Sequence, residues 1–346
     1  MPNTSANPLP RWRGFNLLEK FSAHDPSKSA PNSHANAPFR ETDFQWIAEW
    51  GFDFVRLPMS YCCWSGPDRW RELDEPVLAQ IDQAVDFGRR YGVHVCLNFH
   101  RAPGYCVPPM TPEPFNLWKD QEAQDAFCYH WETFARRYRG ISSDRLSFNL
   151  VNEPHFPDDS TMSRQDHERV IRRAVAAIRT VDAERLIIAD GIGCGTITCP
   201  ELADLGVGQS CRAYAPFGIS HYQSPWATWV NWADVPPAAW PGSWDYGAVW
   251  TRETLEAFYQ PWRDLIAQGV GVHCGEGGAY NRTPHAVFLA WFRDVLDILR
   301  DSGIGFALWN FRGSFGVLDS GRADVAYEDW HGHRLDRKML ELLRAF

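Results

Sequence analysis

The chain has 346 residues, 45% hydrophobic and 22% charged, so it can bury a full core and carries no compositional sign of disorder. Against 34 basic residues stand 43 acidic ones, a formal charge of −9, and no basic run is long enough to track phosphates. Nucleic acid is excluded as a natural partner, polyanionic substrates are disfavoured, neutral ligands are left open, and no apolar stretch is long enough to span a membrane.

The first ten residues, rich in Asn, Pro and Ser, lack the basic and apolar regions of a secretory signal and read as a flexible extension of one domain over 1–346. The nine cysteines are odd in number and scattered through apolar stretches, a pattern of reduced core thiols rather than a disulfide framework. Both features predict a cytoplasmic protein, or a secreted one had a signal been trimmed away.

In chain order, short apolar β-branched runs alternate with amphipathic helical patterns. The runs are 12–16, 52–57, 93–99, 146–151, 186–189, 218–222, 270–275 and 305–309. Helices are expected over 41–50, 76–91, 122–138, 164–181, 251–268 and 284–302, with a weaker one near 200–205. Gly51, Gly92, Gly269 and Gly303 mark helix stops, at the position where the backbone turns left-handed. Eight strand-then-helix units imply parallel strands joined by crossovers, closed into a single (β/α)8 TIM barrel with catalytic loops at the C-terminal face of the strands. The alternative is an open doubly wound sheet, but no Gly-rich phosphate fingerprint follows the first run. Two loops stand out: a polar one over 23–38 and a tryptophan-rich one over 226–250. The 17 tryptophans exceed the needs of such a core; their flat faces suit sugar rings, although packing explains most of them.

Strand ends are where a barrel does its chemistry. There the sequence places Arg56 in Val-Arg-Leu-Pro, His100 after Asn98-Phe99, Asn152-Glu153-Pro154, Ser220-His221-Tyr222, Glu276 after Gly275, and Trp309-Asn310. Glu153 follows the fourth strand and Glu276 the seventh, positions expected to face each other across a barrel mouth. Two carboxyl groups are the minimum for cleaving a glycoside: one protonates the leaving oxygen while the other attacks or activates water. A separation of about 5–5.5 Å gives a covalent intermediate and retention, whereas about 6.5–9.5 Å admits a water and gives inversion.

Taken together, Arg56, His100, Asn152-Glu153-Pro154, His221-Tyr222, Glu276 and Trp309 resemble, in order and strand placement over the whole chain, the defining set of glycoside hydrolase family five, the cellulase-type members of the retaining clan A. The resemblance implies Glu153 as acid/base and Glu276 as nucleophile, with Arg56 and a tyrosine keeping Glu276 ionised. It also implies that Asn152 binds the sugar 2-hydroxyl, that His100 and His221 contact sugar or carboxylate, and that Trp309 floors the glycone subsite; Trp226 is expected to join it in contacting substrate. A His-x-Ala-Pro-Gly stretch beginning at His100 favours glucose there.

The sequence departs from the family at two places. The family shows His, any residue, then Tyr after the sixth strand, whereas His221 and Tyr222 are adjacent. Either Tyr222 partners the nucleophile with Ser220 at the histidine position, or His221 is in register and Gln223 replaces the tyrosine. Gly277-Gly278 stands where many members carry bulkier residues, which would open the site on that side.

The expected partner is therefore a β-linked oligo- or polysaccharide, and the expected activity β-glucosidic hydrolysis. The alternatives are a β-mannanase or other β-glycosidase of the same family, a barrel that binds sugar without cleaving it, and a metal-dependent hydrolase built on His100 and His221. No cofactor is implied: His155, His167, His273 and His285 show no ligand spacing, and His331-Gly-His333 reads as a solvated turn.

Overall fold

The computed structural model describes residues 6–18, 21, 40–107, 113–245 and 247–346; the 23–38 loop and the middle of the loop over 103–117 lie outside them. Among the described residues nine strands form the main sheet, eight of them parallel: β1 (Arg13–Asn16), β2 (Phe54–Ser60), β3 (His94–Ala102), β4 (Leu146–Asn149), β5 (Leu186–Asp190), β6 (Gly208–Ala213), β7 (Val272–Gly277) and β8 (Gly305–Leu308), with the short Tyr105–Cys106 strand added antiparallel to β3. The long helices are α1 (Glu41–Glu49), α2 (Glu75–Tyr91), α3 (Gln121–Arg137), α4 (Arg164–Val181), α5 (Arg252–Ala267), α6 (His285–Asp301) and α7 (Arg337–Ala345). In sheet order the strands run β2, β1, β8, β7, β6, β5, β4, β3, and β3 pairs back to β2. This is the (β/α)8 barrel that the alternation predicts.

Backbone contacts divide the chain into two compact units, Leu18–Cys211 and a second made of Met1–Leu17 with Arg212–Phe346. In the larger unit, parallel ladders join β2 to β3, β3 to β4, β4 to β5 and β5 to the first residues of β6. Its core is aromatic: Phe99 stacks on Trp131 at 4.0 Å, and Phe134 meets Trp64 edge-on at 5.3 Å. Helix α4 starts at a capping box in which Ser163 and Asp166 satisfy each other's backbone N–H, an arrangement that fixes its first turn.

In the smaller unit β1 pairs with β8 and β8 with β7, all parallel. The buried Asn16 amide donates to the carbonyls of Gly275 and Leu308 at 2.9 and 3.2 Å, tying the ends of all three strands. Residues 6–10 are anchored here: Asn7 donates to the Val272 and Gly303 carbonyls and accepts from the Val272 N–H, and Leu9 is buried. Helix α7, which the patterning passes over, is capped by Asp336, whose other oxygen meets His285 Nε2 at 2.8 Å.

The predicted glycine stops all take positive φ, +84° at Gly51, +71° at Gly92, +86° at Gly269 and +68° at Gly303. None of the nine cysteines is disulfide-bonded. The sixth strand is a correction. Residues 218–222 are not extended; Phe217–Ser220 is a single helical turn, and the strand is Gly208–Ala213. Its Gln209, Ser210 and Arg212 are polar yet buried, so it lacks the apolar signature of a strand. Each such group needs a partner to be tolerated there, and Gln209 finds one by bonding both the N–H and the carbonyl of Cys199 at 2.9 and 2.6 Å.

Candidate active site

In the larger unit the chain leaves β4 in a turn that carries Glu153 at φ 46°. The left-handed region costs a non-glycine residue about 1–2 kcal/mol, so the surroundings must enforce it. They do: the Glu153 N–H donates to Asp190 Oδ2 at 2.9 Å, and the Tyr105 hydroxyl donates to the Glu153 carbonyl at 2.7 Å. The Glu153 side chain is half-buried.

Beneath that turn lies a polar network in which Arg56, Asn149, Asn152 and Asp190 are each 1% exposed. Arg56 donates from Nε to Asn149 Oδ1 at 2.8 Å and from its terminal nitrogen to Asn152 Oδ1 at 2.9 Å. Asn149 in turn donates to Asp190 Oδ1 at 2.8 Å, and the Arg56 guanidinium lies 3.9 Å from the same carboxylate. Because Asn152 Oδ1 accepts from Arg56, its Nδ2 is presented as a donor. Asp190 is the member that strand patterning passes over, because the fifth apolar run ends one residue before it.

His100 sits half-buried in β3. The segment after it is fastened by Glu113, which pairs with Arg101 and accepts from the Tyr61 hydroxyl at 2.8 Å and the Gly104 N–H at 3.2 Å.

In the smaller unit Glu276, in β7, is 2% exposed. Its Oε1 lies 3.3 Å from the Arg212 guanidinium and its Oε2 accepts from the Tyr214 hydroxyl at 3.2 Å. The tyrosine that meets Glu276 is thus Tyr214 and not Tyr222, which accepts from the Gln223 amide at 3.2 Å and meets Trp232 edge-on. The family's spacing is met by Arg212-Ala213-Tyr214 at the end of the sixth strand, with arginine where histidine is expected, and a sixth strand at 218–222 hides it. Tyr214→Phe is expected to lower kcat at least about tenfold, the worth of a hydrogen bond to a charged group, while Tyr222→Phe stays within about twofold of the parent; steady-state kinetics of the two variants checks this.

His221 has its own place in an aromatic cluster. It stacks on Phe217 at 4.5 Å and meets Tyr214 edge-on at 5.3 Å, and desolvation there pushes its imidazole down to about 4, so it is neutral at ordinary pH. Ser220 Oγ donates to the Tyr214 carbonyl and therefore accepts from His221 at 2.8 Å, which puts the imidazole proton on Nδ1. Trp226 is half-buried in the same cluster, edge-on to Tyr280 at 4.8 Å. Farther along the segment, Trp240 donates to Asp294 at 2.8 Å, a packing role, whereas Trp229 is 65% exposed. The half-buried Trp309 follows β8, its N–H donating to the Gly277 carbonyl at 2.9 Å.

Gly277 does not open the site, contrary to the expectation. A Cβ there would lie 2.5 Å from that of Ala213, 2.7 Å from the Phe306 ring and 2.9 Å from the Ala213 carbonyl. Close approach of backbone to backbone demands glycine. Gly277→Ala is expected to destabilise the fold by about 1–3 kcal/mol through overpacking, read as a lower urea midpoint at unchanged slope.

Among the described residues no helix is long and apolar enough to cross a membrane. The family described as Cellulase (glycosyl hydrolase family 5) matches residues 18–314. Endoglucanase C of Acetivibrio thermocellus is 25% identical over 322 residues, covering 85% of this chain and 90% of that protein. A crystal structure titled as a glycoside hydrolase superposes with a TM-score of 0.89 at 40% identity, covering 97% of this chain and 99% of that one. Thermotoga maritima Cel5A, solved with cellobiose and with mannotriose, shares the fold at TM-scores of 0.73 and 0.72 and 19% identity; both comparisons span 96% of this chain, and 96% and 97% of the Cel5A chains. On its matched residues and its barrel, the chain belongs to glycosyl hydrolase family 5, the cellulase family, and is a glycosidase.

Proposed function

We propose that this glycosidase cleaves β-glucosidic linkages in glucans or gluco-oligosaccharides by double displacement, with Glu276 as nucleophile and Glu153 as acid/base. The observation that carries the reading is the clamp on Glu276. A guanidinium on one carboxylate oxygen and a phenol on the other orient the group and favour its anion, the form a nucleophile needs.

In the first step a Glu276 oxygen attacks the anomeric carbon as the bond to the leaving oxygen breaks, and Glu153 gives its proton to that oxygen. In the second, Glu153, now a carboxylate, takes a proton from water; the water oxygen attacks the same carbon and the ester to Glu276 breaks. Asn152 Nδ2 suits donation to the 2-hydroxyl, and the Nδ1–H form of His221 leaves Nε2 as an acceptor for a sugar hydroxyl. His100 supplies a further polar contact, while Trp309 and Trp226 offer apolar faces to the ring.

The endoglucanase relative and the cellobiose complex of Thermotoga maritima Cel5A support glucose as the sugar. The mannotriose complex of the same protein favours a second reading, β-mannoside cleavage. Proton NMR of a cello-oligosaccharide digest tests the proposal: the β-anomer of the new reducing end should appear first. An α-anomer first would sink the double displacement. Cleavage of manno-oligosaccharides with cello- and laminari-oligosaccharides untouched would select the second reading.

A further inference from the structure

Helix α4 packs a histidine against the segment that leads into β6, and the two bring together groups that the glycosidase chemistry does not use. One ligating atom each from His167, Cys199 and Glu201 lie within 4.8 Å of one another. His167 and Cys199 are 0% exposed. Neither ring nitrogen of His167 has a hydrogen-bond partner among the described residues, nor does Glu201 Oε1, although all three atoms are buried. A buried polar atom without a partner pays its desolvation with nothing in return, and three such atoms beside one thiol are too concentrated to be incidental.

The frame around them is rigid. Cys199 is held at both its N–H and its carbonyl by the Gln209 side chain. Arg164, one turn before His167, donates to the Thr198 carbonyl at 2.6 Å and to Glu201 Oε2 at 3.0 Å, which leaves Oε1 as the oxygen turned to the cluster. The His167 ring rests against Trp118 at 5.7 Å.

We infer that His167, Cys199 and Glu201 form a binding site for a zinc-class divalent cation, completed to four ligands by water. An imidazole nitrogen, a thiolate and a carboxylate are the donors zinc takes. On binding, the Cys199 thiol proton passes to solvent and the sulfur–metal bond takes its place; nothing is oxidised or reduced.

The site's role is to brace. Residues 191–199 run from the end of β5 to Cys199, and within them the Gly193 N–H donates to the His155 carbonyl at 3.1 Å and the Cys194 N–H to the Pro154 carbonyl at 2.9 Å. A cation joining α4 to Cys199 and Glu201 therefore anchors the far end of the loop that props up the Glu153 turn. It adds stability without entering the reaction.

The test uses the full chain stripped of metal, titrated with zinc and separately with cobalt. Expected are one ion per chain by equilibrium dialysis, a cobalt–thiolate charge-transfer band, and a Tm that rises with zinc by mass action. Cys199→Ser should abolish the band and weaken zinc binding by about 100-fold or more, and His167→Gln and Glu201→Gln should weaken it as well. Turnover of the zinc-free and zinc-loaded enzyme should agree. Absence of the band in the parent chain, or parent and Cys199→Ser binding zinc equally, overturns the inference. Should Cys199→Ser fail to fold, unchanged affinity in Glu201→Gln, at a partly exposed position, overturns it too.

Discussion

Glu276→Gly is expected to lower turnover of a β-gluco-oligosaccharide by about 10⁵-fold or more, the scale of losing a covalent nucleophile. The cavity it leaves can admit a small anion. Azide should then restore much of the rate toward a β-glucoside, because Glu153 still protonates the leaving oxygen while azide attacks from the vacated side. The product is the α-glycosyl azide, formed with inversion in one displacement. Activity near the parent's without azide would remove Glu276 from its role.

Glu153→Ala is expected to cost about 10²–10⁴ on oligosaccharides, the range for general acid–base catalysis. The loss should depend on the leaving group. A dinitrophenyl β-glycoside departs without a proton, so its first step survives and the glycosyl-enzyme accumulates, visible as a burst of dinitrophenolate. Azide then intercepts that intermediate and gives the β-glycosyl azide. Opposite azide anomers from the two variants assign the two carboxylates in a way that rate losses alone do not. Equal loss for oligosaccharide and dinitrophenyl substrate would argue that Glu153 acts by position rather than by proton transfer.

Much of the fold was legible because its signals are local. Helix α4 runs Arg164–Val181, the bounds that the apolar periodicity marks, and Ser163 with Asp166 supplies the start signal. Four glycines mark the helix ends ahead of their strands because a left-handed residue there is cheap only without a Cβ. β6 was illegible for the opposite reason. Gln209 and Arg212 are stabilised inside by the Cys199 backbone and the Glu276 carboxylate, and hydropathy has no view of such partners.

That single displacement accounts for Arg212 and Tyr214, which patterning passes over. A sixth strand at 218–222 puts Tyr222 where the partner of Glu276 is expected and leaves Arg212 and Tyr214 in a connection, whereas Tyr214 is the tyrosine that meets Glu276. Glu153 and Glu276 were legible because a carboxylate at a strand's end is costly unless used. Asp190 obeys the same rule and was passed over only because the fifth run stopped at Ala189. The His167–Cys199–Glu201 cluster carries no motif, since its ligands come from two elements brought together by the crossover from β5 to β6.

Arg212, beside the proposed nucleophile Glu276, bears on how any pH–rate curve of this enzyme is read. An imidazole at that place would change charge close to neutrality, and its titration would overlap those of the reacting carboxyls. A guanidinium keeps its proton throughout the range in which the protein is folded. On the proposed mechanism neither limb then carries an ionisation from that place, and His221, pushed down to about 4 by burial, enters the acidic limb alone.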